Sequence, residues 1–241
     1  MTLMVPSECE YNLPTDRPLT VDDLEHTPDD GRRYELDDGR LDVTPAPVGL
    51  HSRAEGRLLQ HLGNLAPDWA EVHPGPGVTL NDARTSHLIP DLAVIRIEDF
   101  SPKYQTRPPV LAVEVLSPES VFRDTNKKKR EYAALGIGNY WIVNPSLDKT
   151  GILVFRLENG TYREVAQAFG GDVLTVDHPF PVRIVPEWLV ADGPWRAKIS
   201  GPDSDTDETS TAEPADEGPE EPPGERSEGW GTGTSIGGAT E

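Results

Sequence analysis

The stretch VLAVEVLSP at residues 110–118 is apolar except for one carboxylate, Glu114. It reads as a strand, and a charge in the middle of an apolar strand requires a partner. The next segment, DTNKKKREYAALGIG, has helical character. Asp124 or Thr125 would start that helix and Gly136 would stop it. A second apolar strand, NYWIVNP, comes next. A strand over 110–116, a helix over 124–135 and a strand over 140–143 form a crossover, which makes the two strands parallel neighbours. This one unit commits the chain to a sheet with helices on its faces, an α/β (α+β) class.

The flanking segments add antiparallel strands, so the expected sheet is mixed. TVDDLEHTP predicts a short helix capped by Thr20. RRYELDDGRLDVTPAP predicts a hairpin turning at Asp38-Gly39, with Tyr34, Leu36, Leu41 and Val43 apolar. GLHSRAEGRLLQHLGNLA predicts a helix, with Leu58, Leu62 and Leu65 in helical spacing and Ser52 placed to cap. GPGVTLN and HLIPDLAVIRI read as strands, and GILVFRLENGTYREV as a hairpin turning at Asn159-Gly160. FPVRIVPEWL closes the fold. No internal repeat is visible.

Alternation along a strand puts Glu114 on one face with Ala112 and Leu116, and Asp91 of IPDLAVIRI on one face with Ala93 and Ile95. On neighbouring strands the two carboxylates would lie roughly 5 Å apart. Like charges that close share a proton or a cation. Oxygen ligands suit Mg²⁺ or Mn²⁺. The plainer reading makes Asp91 a strand cap and Glu114 half of an ion pair with an arginine. Downstream, Asp124, Lys128, Tyr132 and Leu135 share a helical stripe, which would bring a lysine back over the end of strand 110–116. The plainer reading is a solvated basic face from Lys127 to Arg130. Glu35 stands near a tight turn and His51 leads a helix; either residue alone is more commonly structural. His61, His73, His87 and His178 have no metal-like spacing.

Charge restricts the partners. The net charge is −20; residues 200–241 hold 12 acids and one base, Arg226, and the other 199 residues hold 30 acids and 21 bases, a balance of −9. An acidic domain binds nucleic acid only through a local basic patch or a metal. The tail is rich in Gly, Pro, Ser, Thr and acids, so residues 196–241 are expected to be disordered and residues 1–18 irregular, leaving a domain over 19–195. A single cysteine, Cys9, excludes an internal disulfide framework and a cysteine-rich zinc site. No apolar run approaches the roughly 20 residues of a membrane span. The first residues lack the pattern of a signal peptide. The expectation is a cytoplasmic protein with no membrane partner.

YELDDGRL, a histidine opening a helix, PDLAVI, LAVEVLSPES and the run from Asp124 through EYAALGIGNYWIVNP together resemble the Uma-two family, a bacterial group of restriction-endonuclease-like proteins. The resemblance covers roughly residues 20–190. It implies the PD-(D/E)XK nuclease fold, a mixed central sheet flanked by helices, with a metal held by strand carboxylates. Asp91 matches the first motif aspartate and Glu114 the second acid. The lysine expected two residues later is replaced by Leu116, and Lys128 on the following helix matches its displaced position, with Lys127 close by. Glu35 matches the family's N-terminal acid and His51 its helix-leading histidine. The implied catalytic set is Asp91, Glu114, Lys128, Glu35 and His51, with Asp91, Glu114 and Glu35 as ligands of Mg²⁺ or Mn²⁺.

Three functions fit these residues. The first is a metal-dependent endonuclease acting on DNA. The second is a catalytically idle nucleic-acid-binding or regulatory module of the same fold. The third is a metal-binding or protein-interaction protein connected with the acidic tail. The position of the Lys128 amine separates the first two: near the carboxylates it favours hydrolysis, in solvent it favours binding. Cutting both strands would need two sites, so a homodimer is a further expectation, with the hairpin at 151–166 and Trp188 as candidate contacts.

Overall fold

In the computed structural model of the chain, the described residues are 13–117 and 122–202. Residues 1–12 of the expected irregular N-terminus, and residues 203–241 of the expected disordered tail, lie outside them. Thr20 precedes a short 3₁₀ helix, Val21–His26, and its N–H donates to Asp23 at 2.7 Å, so the expected cap forms. β1 (Arg33–Asp37) and β2 (Arg40–Thr44) make the expected hairpin. Asp38 and Gly39 both carry positive φ, 49° and 80°, as a two-residue turn between twisted strands requires.

α1 (Leu50–Leu65) buries Ala54, Leu58, His61 and Leu62, a stripe at helical spacing. Leu65 is exposed at the last turn, and Ser52 does not cap. Gly49 holds the cap position with φ 60°, and Ser52 donates its hydroxyl to Pro47 O at 2.9 Å. The glycine is needed because the chain turns through left-handed backbone to enter the helix.

The central sheet has six strands. They include β3 (Ala70–Pro74), β6 (Leu92–Arg96), β7 (Leu111–Val115), β8 (Asn139–Asn144), β9 (Gly151–Glu158) and β10 (Thr161–Phe169), in the order β10-β9-β8-β7-β6-β3. β7 and β8 are parallel and the other pairs antiparallel, so the sheet is mixed, as expected. β4 (Val78–Thr79) and β5 (His87–Leu88) complete a second sheet with β1 and β2, and β11 (Leu174–Val176) pairs with β12 (Val182–Ile184). α1 and the β11–β12 hairpin cover one face of the central sheet, where Leu58, Leu62, Val113, Val115 and Trp141 pack together. The other face meets α2 (Lys129–Leu135), through Ala112, Tyr132, Tyr140 and Ile142. Fully burying one such aliphatic side chain contributes about 1.5–3 kcal/mol. A short terminal helix, α3 (Trp195–Lys198), ends beside Ile199, which is buried in the first of these cores, so the folded part runs past the boundary expected at 195 because an apolar anchor follows it.

The crossover helix departs from expectation in its first turn. Arg123–Lys128 is a π-helix that runs into α2, and Phe122 precedes it in helical conformation. Asp124 therefore lies inside the helix and is buried, and it does not cap it. Gly136, with φ 90° and ψ 23°, stops the helix as expected.

Candidate functional site

The register that pairs Leu92 with Val113 and Ala93 with Ala112 sets Asp91 across from Glu114. Both carboxylates are buried, 1% and 2% exposed. They are nevertheless held differently. Asp91 Oδ2 accepts the Val115 N–H at 2.6 Å, which fixes the carboxylate against the end of β7. Its Oδ1 meets Arg33 Nη1 and, at 3.2 Å, His51 Nε2. Burial alone would raise the Asp91 pKa, but the His51 hydrogen bond and the Arg33 charge outweigh it and hold the group below the usual range.

Glu114 faces the opposite helix. Its Oε1 accepts from Lys128 Nζ at 3.0 Å and from the Tyr132 hydroxyl at 2.7 Å. Lys128 is 1% exposed, so the solvated basic face does not include it. Its Nζ also stands 3.0 Å from Glu35 Oε1 and 3.3 Å from the Ile89 carbonyl. Lys127 points elsewhere, to Asp37 at 2.7 Å. Glu35 is buried too; its Oε1 accepts the Ile89 N–H at 2.8 Å, and its Oε2 lies 3.3 Å from Arg123 Nη1.

These charges do not balance in pairs. Burial drives the Glu114 pKa well above the carboxylate range, Lys128 opposes the shift, and Asp91 adds to it. Burial also pushes Glu35 up, yet Lys128 and Arg123 outweigh this and leave it lowered. Lys128 remains an ammonium: desolvation lowers its pKa, but Glu114 and Glu35 more than restore it. One lysine serves two buried carboxylates, so Glu114 is the group that keeps a proton most readily.

The five residues expected to act together therefore divide. Glu35, Glu114 and Lys128 form one buried cluster, and Asp91 joins His51 in another across the strand pair. Glu55, one turn beyond His51 on α1, completes the second cluster. Donor atoms of His51, Glu55 and Asp91 all lie within 4.8 Å of one another. His51 Nε2 is 3.2 Å from Asp91 Oδ1 and 3.8 Å from Glu55 Oε2. Ligands on one octahedral ion, each about 2.1 Å from it, are about 3–4.2 Å apart, so these separations fit. Among the described residues this is the group whose donors converge in that way; Glu35 and Glu114 converge on Lys128 instead. The rim is open here and closed at the lysine: the side chains of Arg33, His51 and Glu55 are 20%, 14% and 16% exposed.

Glu55 and Arg33 were not anticipated from the sequence. The His-x-x-x-Glu spacing of 51 and 55 was available as a signal, since it stacks both side chains on one helical face. Arg33 offered none, because it meets Asp91 over 58 residues of chain.

Comparison with known proteins agrees with the expected resemblance. The profile of a family named Uma2, described as "Putative restriction endonuclease", matches residues 21–202. A solved structure described as a "putative nuclease belonging to DUF820" from Anabaena variabilis ATCC 29413 superposes with a TM-score of 0.53 at 16% identity, over 66% of this chain and 90% of that one. At that identity the likeness concerns the fold, which is the restriction-endonuclease-like one. No curated protein matches the chain. Among the described residues, no helix is long and apolar enough to cross a membrane.

Proposed function

The chain belongs to the Uma2 family, and from that premise we propose that it is a metal-dependent endonuclease that hydrolyses phosphodiester bonds in DNA. The observation that carries the reading is the buried lysine fixed between Glu35 and Glu114, one strand away from the convergent donors of His51, Glu55 and Asp91. Such a layout is costly for stability, because it strips several charges of water. That cost is readily understood if the charges serve chemistry.

His51, Glu55 and Asp91 would hold the divalent ion. An imidazole among the donors favours Mn²⁺ over Mg²⁺. When bound, such an ion acidifies a water and neutralises charge on a phosphoryl oxygen. The remaining work falls to the protein. The Val115 N–H fixes Asp91 Oδ2 and leaves Oδ1 directed to the rim. Glu114 is as buried as Lys128 and lies on the closed side of the site, so it acts with the lysine in positioning and does not meet the water. Tyr132 and Lys128 hold Glu114 in place, and Lys128, too buried to meet a phosphate in this arrangement, is a positioning residue.

The test is plasmid nicking by the full chain with Mn²⁺ or Mg²⁺, beside Asp91→Ala and Glu114→Ala. Nicking by the unmodified protein, greater with Mn²⁺ and absent in both variants, is the expected result. Equal residual nicking in all three would mark a contaminant and sink the reading. A matched RNA serves as the comparison substrate, and a linear product would require two copies of the site.

A further inference from the structure

The cation that neutralises Asp91 in this structure belongs to the chain itself. Arg33 Nη1 donates to Asp91 Oδ1, and Arg33 Nη2 lies 3.8 Å from Glu55 Oε2. Those two oxygens are the ones that His51 Nε2 approaches at 3.2 and 3.8 Å. A guanidinium and an ion ligated by the same atoms would compete for the same lone pairs. Two such cations a few ångströms apart would also repel strongly at a site partly withdrawn from water.

Arg33 can leave without unfolding the strand. It is the first residue of β1, its backbone pairs with Thr44, and its side chain keeps 20% exposure toward the rim. Its neighbours are secured independently: the Tyr34 hydroxyl bonds Asp30 at 3.1 Å, and Glu35 is fixed by Lys128 and the Ile89 N–H. One flexible side chain can therefore exchange position while the two carboxylate clusters stay in place.

We propose that Arg33 is the resident counter-cation of the Asp91 site, that a divalent ion displaces it, and that the freed guanidinium then binds the phosphate of the nucleic-acid backbone at the rim. The exchange rests on the nuclease reading above and deepens it. A planar fork of donors suits a phosphate as well as it suits a carboxylate, so the group trades one anion for another. It also keeps Asp91 neutralised when no ion is present, as a buried carboxylate demands.

Mn²⁺ titrated into the metal-free full chain, with no nucleic acid, tests the exchange by calorimetry. Arg33→Met should bind Mn²⁺ about tenfold tighter than the unmodified protein, because the competitor is gone. Arg33→Lys should fall between, since an ammonium keeps the charge but cannot bridge two carboxylates. Asp91→Asn should abolish binding. In the nicking assay Arg33→Met should raise the KM for DNA while lowering the Mn²⁺ concentration needed for half activity. A merely structural arginine would not move those two quantities in opposite senses. Melting in EDTA shows which variants are folded, and Arg33→Lys carries the comparison if Arg33→Met is not. Unchanged or weaker Mn²⁺ binding in the folded Arg33 variants overturns the exchange, while Asp91-dependent binding in the unmodified protein leaves the nuclease reading standing. If the unmodified protein shows no Asp91-dependent binding, both fall.

Discussion

Replacing Lys128 with methionine removes the ammonium that contacts both Glu35 and Glu114. The amine makes three contacts, at 3.0 Å to Glu35, 3.0 Å to Glu114 and 3.3 Å to the Ile89 carbonyl. Methionine fills most of the volume, so the loss is chiefly electrostatic. Removing one partner from a buried ion pair costs about 3–5 kcal/mol. For a domain of this size that is a drop of about 6–20 °C in Tm. The pH dependence follows from the carboxylates. In the unmodified protein Glu35 sits below the usual range, so it contributes stability above its unfolded pKa and loses it as pH falls. In Lys128→Met that contribution shrinks to what Arg123 and the Ile89 N–H still supply, and Glu114, which loses its opposing charge, rises further and destabilises the variant most at neutral and alkaline pH. The gap between the two proteins should therefore be widest near pH 8 and narrow toward pH 5. Urea unfolding followed by tryptophan fluorescence, to which the buried Trp141 contributes, measures it. Glu114→Gln combined with Lys128→Met should recover more than about 1 kcal/mol of the loss, because it removes the stranded charge. A deficit under about 1 kcal/mol, or one that does not narrow with acid, would show that the lysine does not hold these charges and would refute the reasoning.

Three further perturbations probe neighbouring parts. Tyr132→Phe deletes the 2.7 Å bond to Glu114 and should cost about 1–2 kcal/mol in urea unfolding, without affecting Mn²⁺ binding at the other cluster. Glu55→Gln should weaken Mn²⁺ binding at least about tenfold by calorimetry while leaving the Tm in EDTA nearly unchanged, since burial and Asp91 already raise its pKa and the charge lost was poorly solvated. Gly136→Ala should lower stability by about 1 kcal/mol by the same unfolding measurement, because the residue stops α2 at φ 90°, where a Cβ is strained although nothing lies within 4 Å of it.

The parts of the site that could be read from the sequence are those fixed by local periodicity. Lys128 and Tyr132 share a helical stripe that turns back over the strand of Glu114, and all three side chains meet in the structure. Asp91 and Glu114 were joined because each is a lone acid beside an apolar strand, and the antiparallel register of β6 and β7 sets them opposite. What periodicity could not reveal is the partition of the acids. Whether Glu35 turns to an ion or to Lys128 depends on how the four-stranded sheet that holds β1 sits against the central sheet, a long-range docking that leaves no local signal. Arg33 reaches Asp91 by the same docking. The π-helical turn was hidden for another reason. A stripe at i, i+4 and i+8 is satisfied by an α-helix, and the wider turn over Arg123–Lys128 still delivers Lys128 inward.

The central claim is that His51, Glu55 and Asp91 take up one divalent ion. Crystals of the full chain soaked in manganese, with anomalous scattering recorded at the manganese edge, test it most directly. One peak about 2.1–2.3 Å from an oxygen of Asp91, an oxygen of Glu55 and Nε2 of His51, with the Arg33 guanidinium moved off Asp91, is the predicted result. A peak seated between Glu35 and Glu114 with the arginine unmoved, or no peak at Asp91, would contradict it.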